Sequence, residues 1–186
     1  MPVNASECEF GWKAKEFDLL STDDEFYSLN SLKGEKGTVV AFICNHCPYV
    51  IAIAKRLSFE AKELKKIGVN TCAIMSNDIQ AYPEDSFENM KKFSSKYDFD
   101  FQYLYDSTQE VAKKFNAICT PDFFGFNKNL ELKYRGRIDS GVMKNTNEHI
   151  IRRELFNAME TIVKLNIGPK EQFNSFGCSI KWKNDE

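Results

Sequence analysis

Between Thr38 and Lys66 the hydrophobic period of the chain changes abruptly, and this constrains the fold more than any other feature. Thr38-Val39-Val40-Ala41-Phe42-Ile43 is a nearly continuous apolar run, rich in β-branched residues and preceded by Gly34 and Gly37. Such a run predicts a strand buried on both faces. From Pro48 onward, Val50, Ala54, Leu57, Ala61 and Leu64 recur every three or four residues. Lys65 and Lys66 sit in the last turn and Gly68 ends it, as expected of a helix. Cys44-Asn45-His46-Cys47 lies between the two elements.

The rest of the chain keeps alternating in the same way. Glu16 to Leu32 reads as an N-terminal β-hairpin around Ser21-Thr22-Asp23-Asp24. Val69 to Met75 is a second buried strand. Pro83-Glu84-Asp85 opens a helix with Phe87, Met90 and Phe93 on its apolar stripe. Phe101 to Tyr105 is a third strand, and Ser107 with Glu110 predicts a capping box for a short helix carrying Val111, Ala112 and Phe115. Strands at Asp122–Phe126 and Leu130–Ile138 follow, joined across Asn127-Lys128-Asn129. In the second, Leu130, Leu132 and Tyr134 alternate with Glu131, Lys133 and Arg135, which predicts a half-exposed antiparallel strand. A last helix is expected from about Asn147 to Leu165, with Ile151, Leu155, Ala158 and Ile162 on one face and Gly168-Pro169 as its stop. Residues 169–186 read as a C-terminal tail. The order of elements predicts an α/β fold with a central mixed sheet flanked by helices.

Composition narrows the function. A chain of 186 residues, 42% hydrophobic and 28% charged, fits a single globular domain over 1–186. A net charge of -2 offers no basic footprint for nucleic acid or an anionic membrane. No apolar stretch approaches a membrane span, and no secretory signal precedes Phe17, so a cytoplasmic protein is expected. Six cysteines are too few for a disulfide scaffold in a chain of this size. Sixteen phenylalanines predict an aromatic core.

The chemistry therefore falls on the cysteines. Pro48 suits the first helical position, which makes Cys47 the N-cap. There, free backbone N–H groups and the helix dipole favour a thiolate nucleophile. Cys44, three residues away, is a second thiol able to release a mixed disulfide. A metal reading takes Cys44, His46 and Cys47 as ligands for copper or zinc. Adjacent His46 and Cys47 can hardly share one tetrahedral ion, and His149 is the sole further histidine, so no metal is expected. Cys119-Thr120-Pro121-Asp122 enters a strand, where a cis Thr120–Pro121 bond would bring backbone groups beside the active cysteines.

With these residues in place, the chain resembles the thioredoxin superfamily, and more closely its peroxiredoxin-like redoxins near the AhpC/TSA and TlpA-type proteins. Phe42–Val50, Ser76-Asn77-Asp78 with Tyr82–Ser86, Thr120–Phe124, Tyr134–Asp139 and Gly177–Trp182 carry the resemblance. It implies a thioredoxin-like fold, a redox-active cysteine at the strand–helix junction, and a cis Pro121 with Thr120 facing it as a substrate-docking edge. It aligns the first cysteine of a thioredoxin motif with Cys47 and the usual partner position with Val50. The proline and hydroxyl residue that precede a peroxiredoxin's reactive cysteine are replaced here by Val40 and Cys44. Electrostatic support for peroxide would then fall to Arg135 or Arg137.

The expectation is a thiol–disulfide oxidoreductase in which Cys47 attacks and Cys44 resolves, needing no cofactor. Its partners would be protein or small-molecule disulfides and thiols, with a thiol reductant. One alternative is a thiol peroxidase resolved by Cys44, Cys119 or Cys178 through a sulfenic acid. The other is a copper or zinc carrier. Cys72 is expected in the core and Cys8 in the N-terminal segment.

Overall fold

The strand that precedes the cysteines sits at the centre of the molecule. The computed structural model describes residues 2–4, 10–141, 143 and 151–183. Strands β1 (Pro2–Asn4), β2 (Asp18–Ser21), β3 (Phe26–Ser28) and β4 (Gly37–Phe42) lead to helix α1 (Pro48–Lys66). Strand β5 (Val69–Met75), a short 3-10 turn at Pro83–Asp85, α2 (Phe87–Lys96), β6 (Gln102–Tyr105) and α3 (Glu110–Phe115) come next. The chain continues through β7 (Cys119–Thr120), β8 (Asp122–Asn127), β9 (Leu132–Gly136), α4 (Glu154–Leu165) and β10 (Phe176–Ser179).

Seven strands form a mixed sheet in the order β3-β2-β6-β5-β4-β8-β9. β4 pairs parallel with β5 and antiparallel with β8, so both of its edges are covered. Its two faces are buried as well. Val39, Ala41 and Ile43 pack with Leu57 and Leu64 of α1 and Leu155, Met159 and Ile162 of α4. Val40 and Phe42 face Phe115, Phe124 and Phe126 on the other side. Those phenylalanines meet edge to face: the Phe42–Phe115, Phe42–Phe124 and Phe115–Phe124 ring centroids lie 5.5, 5.6 and 5.6 Å apart. Truncating one of them to alanine should cost about 3–5 kcal/mol. The thioredoxin-like sheet and its flanking helices therefore match the expected fold class, and the N-terminal hairpin is β2 paired with β3.

Several local expectations are corrected. Ser107 does not cap α3; its second and third N–H groups, on Val111 and Ala112, are accepted by the buried Asp106 carboxylate at 3.3 and 2.9 Å. Pro83-Glu84-Asp85 does not open α2 but makes a separate turn, broken at Ser86 with ψ 155°. β9 is shorter than predicted because Leu130 takes a left-handed φ of 61° in the connecting turn. Arg135, predicted on an exposed face, is buried in an ion pair. α4 starts at Glu154, after Ile151, and ends on Asn166 at φ 58° before Gly168 is reached. The predicted start at Asn147 lies outside the described residues. The C-terminal tail contains β10, which joins β1 and β7 in a second, three-stranded sheet. No helix of the described residues is long and apolar enough to cross a membrane.

Candidate active site

Three thiols and one threonine meet where β4 hands over to α1. Cys47 is the N-cap of α1, with φ −67°, ψ 121° and Pro48 behind it. Its sulfur lies 2.8 Å from the Cys178 sulfur and 3.3 Å from the Thr120 carbonyl oxygen. The Cys44 sulfur, just past the end of β4, lies 3.2 Å from the Thr120 hydroxyl oxygen. Sheet pairing explains why residues so far apart in sequence converge: β10 runs antiparallel to β7 with Cys178 opposite Thr120. Gly177 permits that approach, because a Cβ there would collide with the Thr120 carbonyl oxygen. The strand is held from its far end too. Asn77 Oδ1 accepts the Lys181 N–H at 2.9 Å, and Gln109 Nε2 donates to the Lys181 carbonyl at 2.8 Å.

The thiols are electrostatically unequal. Cys47 is lowered from the ordinary 9.0 to about 5, first by the neighbouring Cys44 thiol as a donor, then by Cys178 and the backbone N–H groups of Val50 and Cys178. Burial opposes this shift. The helix N–H of Val50 acts as a nearby dipole, because no closed side-chain cap bond forms. Cys44 is pushed well above the ordinary range by its hydrogen bond to Cys47, by burial and by the charge of Asp85. Cys178 is pushed up to about 12 by burial and by its contact with the Cys47 sulfur. One sulfur is set up as thiolate and the other two as thiols.

Asp85 organises the loop between the cysteines. Its carboxylate is fully buried. Oδ1 accepts the N–H groups of Asn45 and His46 at 2.7 and 3.3 Å, and Oδ2 bonds His46 Nδ1 and accepts from Asn77 Nδ2, both at 2.7 Å. Asn45 Oδ1 in turn accepts the Tyr103 hydroxyl at 3.0 Å, and the His46 ring stacks on Tyr82 at 5.5 Å. Cys44, His46 and Asp85 offer donor atoms within 4.8 Å of one another, a set able to contact a metal ion. The four hydrogen bonds on Asp85 make the same set a closed network. Asp85, Asn77 and Tyr103 were not singled out as site residues from sequence. Asp85 and Asn77 do fall within the stretches that carry the family resemblance, but no local spacing marks them.

The remaining predicted residues lie at varying distances from this centre. The Thr120–Pro121 bond is cis. Pro121 lines a cleft of about 210 Å³ with Tyr49, Ile53, Arg137, Ile138 and Phe176. Among the described residues, Cys178 rather than Cys119 is the cysteine touching Cys47. Cys119 is buried, and burial pushes its thiol far up. Arg135 is paired with buried Asp122 at 2.8 Å and lies over Phe124. Arg137 makes a two-point pair with Glu154 at 2.6 and 2.9 Å. Cys72 is in the core of β5, and Cys8 and His149 lie outside the described residues.

Known proteins share this architecture. The profile of the AhpC/TSA family matches residues 10–135. The crystal structure of an uncharacterized conserved protein from Geobacillus kaustophilus is 38% identical, with a TM-score of 0.93 over 100% of this chain and 98% of that one. A hypothetical protein from Sinorhizobium meliloti 1021 is 32% identical, with a TM-score of 0.92 over 98% of this chain and 99% of that one. The thioredoxin domain of a thiol-disulfide oxidoreductase from Bacteroides vulgatus shares the fold at 16% identity, with a TM-score of 0.62 over 84% of this chain and 99% of that one. No curated protein is significantly similar to the chain.

Proposed function

The chain belongs to the AhpC/TSA family of thioredoxin-fold redoxins, and from that premise we propose that it is a thiol–disulfide oxidoreductase with Cys47 as its nucleophile. The observation that carries this reading is the position of the Cys47 sulfur, at a helix N-terminus among thiol and N–H donors and 2.8 Å from a second thiol. The Cys47 thiolate attacks a disulfide RS–SR′, forming a Cys47–SR bond while R′S⁻ leaves and takes up a proton. A second cysteine then gives up its proton, attacks the Cys47 sulfur and expels RS⁻. The substrate is reduced and the protein carries the disulfide, until a thiol reductant reverses it.

For the second cysteine the contact favours Cys178 over Cys44, the partner expected from spacing. Cys178 already touches Cys47, on a strand that can deliver it. The cleft beside Pro121, with Tyr49 and Phe176 on its wall, is where the apolar part of a substrate would rest during attack. Reduced protein treated with glutathione disulfide should release both glutathiones and retain an internal bond. Cys178→Ser should stop after one, leaving glutathione on Cys47. Failure of the wild type to release any glutathione would refute the assignment.

A second reading is peroxidatic reduction by the same sulfur. Its support is the depressed Cys47 thiol in a closed site that a small peroxide fits better than a peptide, with Cys47 0% exposed. Peroxide would take Cys47 to the sulfenic acid with loss of an alcohol or water, and Cys178 would condense with it, releasing water. Stopped-flow mixing with hydrogen peroxide separates the two, since a rate no faster than free cysteine rules out the peroxidase.

A further inference from the structure

Cys47 is 0% exposed, yet the reaction proposed for it begins with a disulfide sulfur resting against its own. Some part of the wall around it has to move. We infer that residues 174–179 form a flap over Cys47, latched by the ring of Phe176 on Tyr49, which lifts from Thr120 to admit a disulfide and returns to bring Cys178 onto the mixed disulfide. The inference rests on the redox reading above and assigns Phe176 as the residue that sets access, and with it specificity, at the same site.

Three of the elements around Cys47 are fixed. α1 is packed on the sheet through Val50, Ile53, Leu57 and Leu64. The loop after Cys44 is tied to Asp85 by the N–H groups of Asn45 and His46. Thr120 and Pro121 lead into β8, which pairs with β4 over six residues. The flap is different. It belongs to the smaller sheet and meets β7 at two ladder pairs, Cys178 with Thr120 and Ser179 with Cys119. β1 lies on its outer edge, so the two can move together. Its buried residues are the small Ser175 and Gly177, while Asn174 and Phe176 are exposed, so lifting it uncovers little apolar surface.

The flap also has two pivots. On one side the Phe173 carbonyl accepts the Arg137 N–H at 3.1 Å. On the other, the Ile180 N–H donates to the Ile118 carbonyl at 2.9 Å, and the Ile180 side chain is in the core. Between them, Phe176 meets Tyr49 edge to face at 5.2 Å, beside the cleft that both line with Pro121. Lifting the segment takes Cys178 off the Cys47 sulfur and joins that sulfur to the cleft.

The test is a rate of access. Reduced wild type, Phe176→Ala, Gly177→Ala and Phe26→Ala are alkylated with iodoacetamide at pH 8, where a sulfur lowered to about 5 is thiolate throughout, and followed at the Cys47 peptide. Hydrogen exchange of peptides covering 174–179 and 38–42 is read on the same samples. Phe176→Ala, which removes the latch, should speed both the alkylation of Cys47 and the exchange of 174–179 about fivefold. Gly177→Ala sets a methyl against the Thr120 carbonyl oxygen and should hold the flap off, raising both by about tenfold or more. Phe26→Ala, an aromatic loss on the exposed face of β3, should change neither, and 38–42 in β4 should stay slow in every protein. Unchanged alkylation in Phe176→Ala and Gly177→Ala overturns the flap. So does faster alkylation with unchanged exchange over 174–179, which would mean a wider cleft and no opening. Glutathione release by the wild type is measured in parallel: its absence overturns the redox reading, whereas release with unchanged alkylation in the variants overturns the flap alone. Should Gly177→Ala lose its native near-ultraviolet signal, Phe176→Ala decides.

Discussion

Cys47 and Cys72 are both 0% exposed, one at a helix N-terminus and one in the middle of β5, and their thiols are shifted in opposite directions. Burial alone pushes Cys72 up to about 12. The same penalty acts on Cys47, where it is outweighed by thiol and backbone donors that bring the group down to about 5. Depth therefore says little about the reactivity of a cysteine. What distinguishes the two is the presence of donors aimed at the sulfur, and these come from a strand–helix junction closed by a distant strand. In mid-strand every neighbouring N–H is already spent on the ladder to β4 or β6.

The comparison can be broken in several ways. The largest effect should follow removal of the proposed nucleophile: Cys47→Ser should lower the rate of disulfide exchange by at least about 10³-fold, measured as glutathione release. A protein that keeps its rate would place the chemistry elsewhere.

Stability should follow pH through the same group. The folded Cys47 value lies below the ordinary 9.0, so its contribution is fully present above that value and is lost as pH falls toward about 5. Denaturant titrations of the reduced protein should gain as much as about 1.4 kcal/mol per pH unit across this window, and Cys47→Ser should flatten the profile. Above pH 9 the sign reverses, because Cys72 and Cys178 stay protonated in the fold while the unfolded chain ionises them.

A smaller effect is expected from the resolving side. Cys178→Ser should leave the first attack intact and slow catalytic turnover by roughly tenfold or more, since an intramolecular closure is replaced by a bimolecular one. The smallest belongs to the other half of the comparison. Cys72→Ala should leave the exchange rate unchanged and cost about 1 kcal/mol of stability on urea unfolding, the loss of one buried sulfur.

What the chain disclosed in advance follows from the range of the interactions concerned. The β4–α1 junction was legible because its signals are local: an apolar run, Pro48 at the first helical position, and Gly68 in the left-handed region at φ 83° past the last turn. Cys47 as the proposed nucleophile came from the same local pattern. The contact with Cys178 was not legible, since Cys178 lies 131 residues from Cys47 and reaches it on β10, a short strand placed by pairing with β7 and β1. Asp85 was hidden for a related reason. Acids in a first helical turn usually serve the helix dipole, and nothing local shows that this one turns inward to hold Asn45 and His46. Asp106 displaced Ser107 as the cap of α3 because its buried carboxylate, which also accepts the Ser76 hydroxyl, is a stronger acceptor than an exposed hydroxyl. Arg135 looked solvent-facing by alternation, and its burial depends on Asp122 across the hairpin.

The central claim is that the junction turns a fully buried cysteine into a thiolate at neutral pH. The direct measurement is the thiolate absorbance near 240 nm of the reduced wild type, titrated against pH, with the Cys47→Ser titration subtracted. A midpoint near 5, the value to which the donors lower Cys47, is the predicted result. A midpoint at or above the ordinary 9.0 would show that burial prevails at Cys47 as it does at Cys72, and would contradict the account.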